Sequence, residues 1–166
     1  MNRGEVAYNF FLEGYNCTQS ILMAYKDFFP KDYFSLILDS SSSFGGGMGR
    51  LREVCGTVSG AFLILGRVYG YHEAKEREKK AKLYSHIQNF ASLFEKENSS
   101  IICRDLLGLK GKSSPIPEER NSDYYIRRPC PGYCFSAASI LEKYLQENGI
   151  LNSDGEIIVN SFPLSN

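Results

Sequence analysis

The sequence has no tryptophan, no net charge and no apolar run long enough to cross a membrane. Its 166 residues carry 19 basic and 19 acidic side chains, so no overall field draws the protein toward nucleic acid or an anionic membrane. The most apolar run, Val54 to Gly66, is well short of the roughly 20 residues that span a bilayer. The amino terminus lacks the apolar run of a signal peptide. We therefore expect a cytoplasmic protein without membrane insertion and without a nucleic-acid partner.

Several motifs of nucleotide-binding and catalytic proteins are also missing. The glycine-rich segment from Gly45 to Gly49 lacks the third glycine of a dinucleotide-binding fingerprint, and no Gly-Lys-Ser/Thr follows it as in a phosphate loop. No Ser/His/Asp order and no paired-carboxylate signal stands out. The chain has no C-x-x-C pair of the thioredoxin type. These absences argue against nucleotide binding and against the common hydrolase and thioredoxin mechanisms.

The composition that is present suits one helical domain with reactive cysteines. With 43% hydrophobic residues, the chain can bury a substantial core. We expect one domain over residues 1–149, followed over residues 150–166 by a carboxyl-terminal tail that is either docked or loose. Five cysteines in a chain without a secretion signal favour redox or metal-binding roles, because the cytosol keeps ordinary thiols reduced.

Hydrophobic periodicity predicts an all-α fold, a compact bundle of about five or six helices with a glycine-rich loop at the cysteine end. Gly56 and Gly60 predict tight contact between a buried helix and a second helix. The segment from Leu109 to Arg128 is rich in polar residues and proline and is predicted to be a surface loop. The predicted helical segments are one of about three turns around Val6 to Tyr15, one from Cys17 to about Phe28, a short one after Asp32, a buried one from Val54 or Cys55, the longest from about His72 to Glu97, a compact piece from Cys103 to Gly108, and a last one from Cys130 to about Asn148.

The stretch from Phe44 to Gly60 couples a glycine-rich turn to a cysteine at the start of a helix. Three consecutive glycines, Gly45 to Gly47, supply positive φ and let other backbone or a substrate approach closely. Free backbone N–H groups and the helix dipole favour a thiolate at Cys55, and with it nucleophilic or metal-binding chemistry. Arg50 is predicted either to lower a thiolate pKa or bind an anion, or to form a surface ion pair with Glu53.

Four cysteines are each predicted at the amino-terminal end of a different helix and at the head of its apolar stripe. If the helices pack with these ends together, the thiols gather at one end of the bundle, where helix dipoles stabilise negative charge. A fifth cysteine, Cys134, lies one helical turn after Cys130, and the two could pair as a resolving couple or act as two ligands on one helix face. The four helix-start cysteines are Cys17, Cys55, Cys103 and Cys130.

These cysteines and their flanking residues resemble a known family. The motifs, in chain order, are Gly14-Tyr15-Asn16-Cys17, then Glu53-Val54-Cys55-Gly56-Thr57-Val58-Ser59-Gly60 after the glycine turn, then Cys103-Arg104-Asp105-Leu106-Leu107-Gly108, and finally Cys130-Pro131. From Gly4 to about Leu145 the chain resembles the redox-active proteins described by a C-GCAxxG-C-C pattern. The resemblance implies a small bacterial or archaeal protein with four characteristic cysteines and a redox role. It places Thr57 where relatives usually have alanine, and Cys134 where they usually have an aliphatic residue.

Two functions are consistent with clustered cysteines. The first is thiol–disulfide or electron-transfer chemistry, in which Cys55 attacks a disulfide or electrophile and a neighbour such as Cys17 resolves the mixed disulfide. Its partner is a redox protein or a small thiol or disulfide, and the sequence assigns it no particular cofactor. The alternative is a module in which the thiolates hold a metal or an iron–sulfur cluster. The predicted catalytic residues, or metal ligands in the alternative, are Cys17, Cys55, Cys103 and Cys130, and the predicted substrate- or cofactor-binding residues are Gly45, Gly46, Gly47 and Arg50.

Overall fold

Most of the described chain is α-helical. The computed structural model describes residues 2–159 and Phe162, and the predicted tail positions 160–161 and 163–166 lie outside the described residues. The described residues contain eight α-helices and no β-strand. In chain order the helices are α1 Arg3–Leu12, α2 Cys17–Ala24, α3 Lys31–Ser41, α4 Gly56–Tyr69, α5 Arg77–Asn98, α6 Cys103–Leu106, α7 Ser122–Arg127 and α8 Cys130–Glu147.

The all-α class is confirmed, but the expected number of five or six helices is wrong. One additional helix, α7, lies inside the segment that was predicted to be a surface loop. The side chain of Asn121 caps this helix by accepting a hydrogen bond from the backbone N–H of Tyr124 at 3.0 Å. A helix of six residues is too short for hydrophobic periodicity to reveal, so the polar composition of its surroundings dominated the prediction.

The longest helix, α5, begins at Arg77 rather than at about His72. The residues before it, 72–75, are all exposed, so no apolar side chain among them anchors an extra turn on the core. Phe90 and Phe94 are the buried residues of α5, and they attach its second half to the bundle. Among the described residues, no helix combines the length and apolarity needed to cross a bilayer.

Two glycines allow helices α2 and α4 to pack closely at the centre of the molecule. A Cβ atom on Gly60 would lie 2.8 Å from Cβ of Ile21, and one on Gly56 would lie 2.9 Å from Cβ of Cys17. Real Cβ atoms do not approach this closely, so glycine is required at both positions. The tight helix contact predicted from the Gly56 and Gly60 spacing is confirmed, and it fixes the position of Cys17.

The described part of the tail docks on the bundle. Ile150 and Leu151 are buried, and Leu151 forms an isolated antiparallel bridge with Ile157. The carbonyl of Gly155 accepts a hydrogen bond from Nη2 of Arg3 at 2.9 Å. The described part of the tail is therefore hydrogen-bonded to the first residue of α1. The residues that make these contacts do not line the cysteine cavity described below.

Candidate functional site

Four helix starts meet at one cavity of about 410 Å³. Cys17, Cys103 and Cys130 are the first residues of α2, α6 and α8, and Cys55 immediately precedes α4. All four line the cavity, so the expected convergence of the thiols is observed. Cys134, one turn along α8, is fully buried and is not a lining residue of this cavity.

Local hydrogen bonds hold the start of α2 against the loop before the glycine turn and against α4. Asn16 forms a capping box with Gln19, which satisfies backbone N–H groups in the first turn of the helix. The side chain of Asn16 also donates to the carbonyl of Ser42 at 3.0 Å. The hydroxyl of Thr18 donates to the carbonyl of Gly56 at 2.9 Å. Cys17 is thereby held by local sequence on one side and by tertiary contact on the other.

The glycine turn is a run of left-handed backbone. Five consecutive residues, Gly46 to Arg50, have φ between 62° and 67°, and Arg52 follows with φ of 65°. Non-glycine residues adopt this conformation only when the surrounding structure compensates for its strain of roughly 1–2 kcal/mol each. A Cβ atom on Gly47 would lie 2.6 Å from Cβ of Cys103. The turn therefore brings backbone into direct contact with a cavity cysteine, as the glycine pattern predicted.

A short backbone pairing holds Cys55 and Cys103 near one another. Val54 forms an isolated antiparallel bridge with Ile102. The backbone N–H of Cys103 donates to the carbonyl of Glu53 at 2.6 Å. Because these two segments each lead into a helix, the pairing sets the relative position of two helix starts.

The thiol of Cys17 interacts with those of Cys130 and Cys134. The hydrogen bond with Cys130 lowers the pKa of Cys17, but the hydrogen bond with Cys134 and burial together raise it well above its ordinary value. The hydrogen bond with Cys17 and burial raise the pKa of Cys130. Burial also raises the pKa of Cys134. The thiols of Cys17, Cys130 and Cys134 therefore interact with one another and are protonated at neutral pH. Of the three, only Cys130 is partly rather than fully buried.

Cys55 and Cys103 have partners other than thiols. Burial raises the pKa of Cys55 to about 11, although a hydrogen bond with Oγ1 of Thr57, 3.2 Å from Sγ, lowers it in part. The thiolate expected at this helix start is therefore not present at neutral pH. Burial likewise raises the pKa of Cys103, and the guanidinium of Arg52, whose Nη1 lies 3.7 Å from Sγ, opposes the increase.

Four arginines line the cavity, and sequence reasoning had identified one of them. Arg50 and Arg52 come from the strained turn, whereas Arg120 and Arg128 come from the segment predicted to be a loop. That segment forms a wall of the cavity, because Pro115, Pro117 and Glu118 also line it. Of the two alternatives for Arg50, the ion pair with Glu53 is not found, since Glu53 pairs with Arg104 at 2.8 Å. Arg120 and Arg128 had no signal in the sequence, since they reach the cavity through tertiary structure. Arg52 had one, because it follows Arg50 by two residues beside the glycine turn.

The thiols do not assemble into a metal-ligand set. Among residues 2–159 and Phe162, no group of three or more His, Cys, Asp or Glu side chains is arranged so that it could hold a metal ion. Structural zinc sites and iron–sulfur clusters both require about four ligands directed at one centre. The residues present therefore do not fit the predicted metal or cluster site in this conformation.

Comparison with known proteins identifies a family. A family model with the description "Putative redox-active protein (C_GCAxxG_C_C)" matches residues 15–144. The match covers well over half of the 166 residues and includes all five cysteines. No curated protein and no solved structure matches the chain.

Proposed function

The chain belongs to the C_GCAxxG_C_C family, and we propose that it performs thiol–disulfide exchange through Cys130 and Cys17. One observation carries the proposal: both residues line the same cavity of about 410 Å³, and a hydrogen bond between their thiols shifts the pKa of each. Exchange requires two thiols that can reach the same sulfur of a substrate in turn. The contact between Cys17 and Cys130 supplies that arrangement without any C-x-x-C motif.

The reaction transfers two electrons and two protons. The thiolate of Cys130 attacks one sulfur of a substrate disulfide, the substrate S–S bond breaks, and the first substrate thiol leaves. Cys17 then attacks Cys130 of the mixed disulfide and releases the second substrate thiol. The protein dithiol becomes a Cys17–Cys130 disulfide, and the substrate disulfide becomes two thiols. The reverse sequence oxidises a dithiol substrate.

Exposure supports Cys130 as the attacking thiol. It is partly buried, whereas Cys17, Cys55 and Cys103 are 9%, 5% and 6% exposed. The positive charges of Arg128 and Arg52 lower its pKa and partly offset the effects of Cys17 and burial. Cys17 keeps the resolving role that the sequence suggested, while the attacking role moves from Cys55 to Cys130.

The position of the thiols favours a small substrate. Cys17 and Cys130 line a cavity of about 410 Å³, and the wall formed by residues of the 109–128 segment lies beside them. A low-molecular-weight disulfide can enter such a space, whereas a disulfide held in a folded protein domain must bring its flanking backbone with it. We therefore propose that the partner is a small disulfide or dithiol.

The experiment is to trap the mixed disulfide. The reduced protein, prepared without oxygen, is treated with one equivalent of a small disulfide and the modified cysteines are identified by mass spectrometry. In Cys17→Ser we expect the adduct to accumulate on Cys130, because no resolving thiol remains. In Cys130→Ser we expect adduct formation to slow at least about tenfold. Cys55→Ser, with the same chemical change at another cavity thiol, should still form the Cys17–Cys130 disulfide.

Two outcomes contradict the proposal. If the adduct accumulated on Cys55 in the Cys17→Ser protein, the attacking thiol would be Cys55, as predicted from the sequence, and not Cys130. Stoichiometric metal in the same preparation, lost together with the thiol reactivity, would favour the binding module instead. The pH dependence is a further check: because the pKa values of both thiols are raised, the rate should climb nearly tenfold per pH unit between about pH 7 and 9.

A further inference from the structure

We propose that the substrate of this exchange is an anionic disulfide, one that carries carboxylates, and that Arg50 recognises it together with Arg52 and Arg128. The inference rests on the proposed function and specifies its substrate class. The cavity lining contains four arginines, at positions 50, 52, 120 and 128, and a single glutamate, Glu118. Four positive charges against one negative charge leave a formal excess of three positive charges around the thiols.

This charge is local to the cavity. The whole chain has 19 basic and 19 acidic residues, so a randomly chosen patch of surface would be close to neutral. A charged cleft with low-dielectric walls focuses its field and raises the local concentration of ligands of opposite sign. Because the excess arginines lie beside the reactive thiols, they raise the concentration of anionic substrates at the place where the reaction occurs.

The arginines differ in how much of their charge is already compensated. Arg128 forms an ion pair with Glu118. Arg120 donates from Nη1 to the carbonyls of Phe11 and Tyr15, both at 2.9 Å, so it serves as a fixed part of the wall. No carboxylate within the described part of the chain makes an ion pair with Arg50 or Arg52.

Arg50 is the best placed of these residues to meet a substrate. Its side chain is anchored at one point, because Nε donates to the carbonyl of Ser114 at 2.5 Å, and it is only partly buried. On balance its surroundings are unfavourable for a cation: burial, Arg52 and, to a smaller extent, Arg128 lower the pKa of Arg50, and Glu118 only partly offsets them. A bound carboxylate would relieve that repulsion, and the planar guanidinium fork matches a carboxylate in geometry.

The test compares three small disulfides that differ in charge. Dithiodiglycolate is a dianion, hydroxyethyl disulfide is neutral and cystamine is a dication. The rate at which each oxidises the reduced protein is divided by its rate with a free thiol in solution, which removes intrinsic differences in reactivity. We expect dithiodiglycolate to be preferred about tenfold over hydroxyethyl disulfide, and cystamine to be the slowest. Added salt should reduce the preference, because it screens the charges.

Variants identify the residue responsible. Arg50→Gln should reduce the preference for dithiodiglycolate about threefold, and Arg50→Lys should restore only part of it, because lysine keeps the charge but not the planar fork. Arg77→Gln, the same change in charge at an exposed site outside the cavity, should leave the preference unchanged. Because the readout is a ratio of rates within one protein, a partial loss of folded protein cannot produce the expected result.

The outcomes separate the two proposals. Equal corrected rates with all three disulfides, with the Cys17–Cys130 disulfide still formed, would overturn the anionic substrate and leave the exchange reaction standing. A preference that is unaffected by Arg50→Gln would remove Arg50 from the recognition of the substrate. If none of the three oxidises the protein, both the exchange reaction and its substrate class are wrong.

Discussion

Arg3 and Arg52 are both buried arginines, 8% and 4% exposed, but their surroundings are opposite in character. Arg3 donates to both carboxylate oxygens of Asp27 at 2.7 Å and to the carbonyls of Ala24 and Gly155 at 2.7 and 2.9 Å. Arg52 donates to the hydroxyl of Ser113 at 2.9 Å and faces the sulfur of Cys103 at 3.7 Å.

The backbone differs in the same way. Arg3 is the first residue of a regular helix, whereas Arg52 has a φ of 65°, a conformation that non-glycine residues rarely adopt. A buried charge is strongly destabilising unless it is paired and hydrogen-bonded. Arg3 meets that condition and fastens α1 to the rest of the bundle. Arg52 does not meet it, and its positive φ and unpaired charge beside Cys103 support the proposal that it takes part in the chemistry of the cavity.

The largest effect is expected in the strained turn that leads to Arg52. We expect Gly47→Ala to lower the free energy of unfolding by about 3 kcal/mol, because alanine is strained at positive φ and its Cβ would collide with Cys103 and the backbone of Arg52. Thermal or denaturant unfolding of the reduced protein measures the change.

Gly66 provides a matched control for that substitution. It lies within α4, has no atom within 4 Å of an added Cβ, and does not have a positive φ. Gly66→Ala should therefore raise stability by up to about 1 kcal/mol through helix propensity. A Gly47→Ala protein as stable as Gly66→Ala would show that the left-handed turn is not under strain.

The second test concerns Arg3. Asp27→Asn keeps one hydrogen-bond acceptor but removes the charge that pairs directly with the buried guanidinium, and we expect a loss of about 2 kcal/mol, moderated because Asp27 is half-exposed. Arg52→Gln should change stability by less than about 1 kcal/mol, since no carboxylate is left behind. Equal losses in the two variants would contradict the distinction between a structural and a chemical arginine.

Local signals in the sequence were enough to locate the helix starts of the site. Asn16 caps α2, Pro131 occupies the first turn of α8, and the spacing of Gly56 and Gly60 predicted the close helix contact. Each of these signals acts over a few residues, so it can be read without knowing the fold. The arginines at positions 120 and 128 could not be found this way, because only tertiary structure brings their segment to the cavity.

The state of Cys55 shows a second limit of local reasoning. A helix start contributes at most about 1 kcal/mol toward a thiolate in an ordinary setting. Raising the pKa of Cys55 from 9.0 to about 11 corresponds to roughly 2.7 kcal/mol in the other direction, and burial is its main cause. Burial depends on the packing of α2, α4 and α8 together, which periodicity does not specify. The sequence therefore located the thiol correctly and misjudged its protonation.

The third test asks whether Arg52 acts on Cys103. Its guanidinium lowers the pKa of Cys103 against the effect of burial, so Arg52→Gln should raise that pKa further and reduce the thiolate fraction at a given pH. We expect the reaction of Cys103 with a small alkyl thiosulfonate, which forms a mixed disulfide on Sγ and releases a sulfinate, to slow about three- to tenfold. Arg52→Lys, which keeps the charge, should recover part of the rate. If the reaction of Cys55 with the thiosulfonate slowed by the same factor, the cause would be a general change in how the reagent reaches the cavity.

The smallest effect concerns Thr57, whose hydroxyl supports Cys55 without a charge. Thr57→Val keeps the shape of the side chain but removes the hydrogen bond to Sγ at 3.2 Å, so the pKa of Cys55 should rise above its value of about 11. A neutral donor stabilises a thiolate less than a guanidinium does, and we expect the modification of Cys55 to slow only about two- to threefold, with Cys103 unaffected. Mass spectrometry after a short exposure to the thiosulfonate resolves the two sites. An unchanged Cys55 rate would mean that the hydroxyl only fills space, and the difference between the two cysteines would then be one of charge alone.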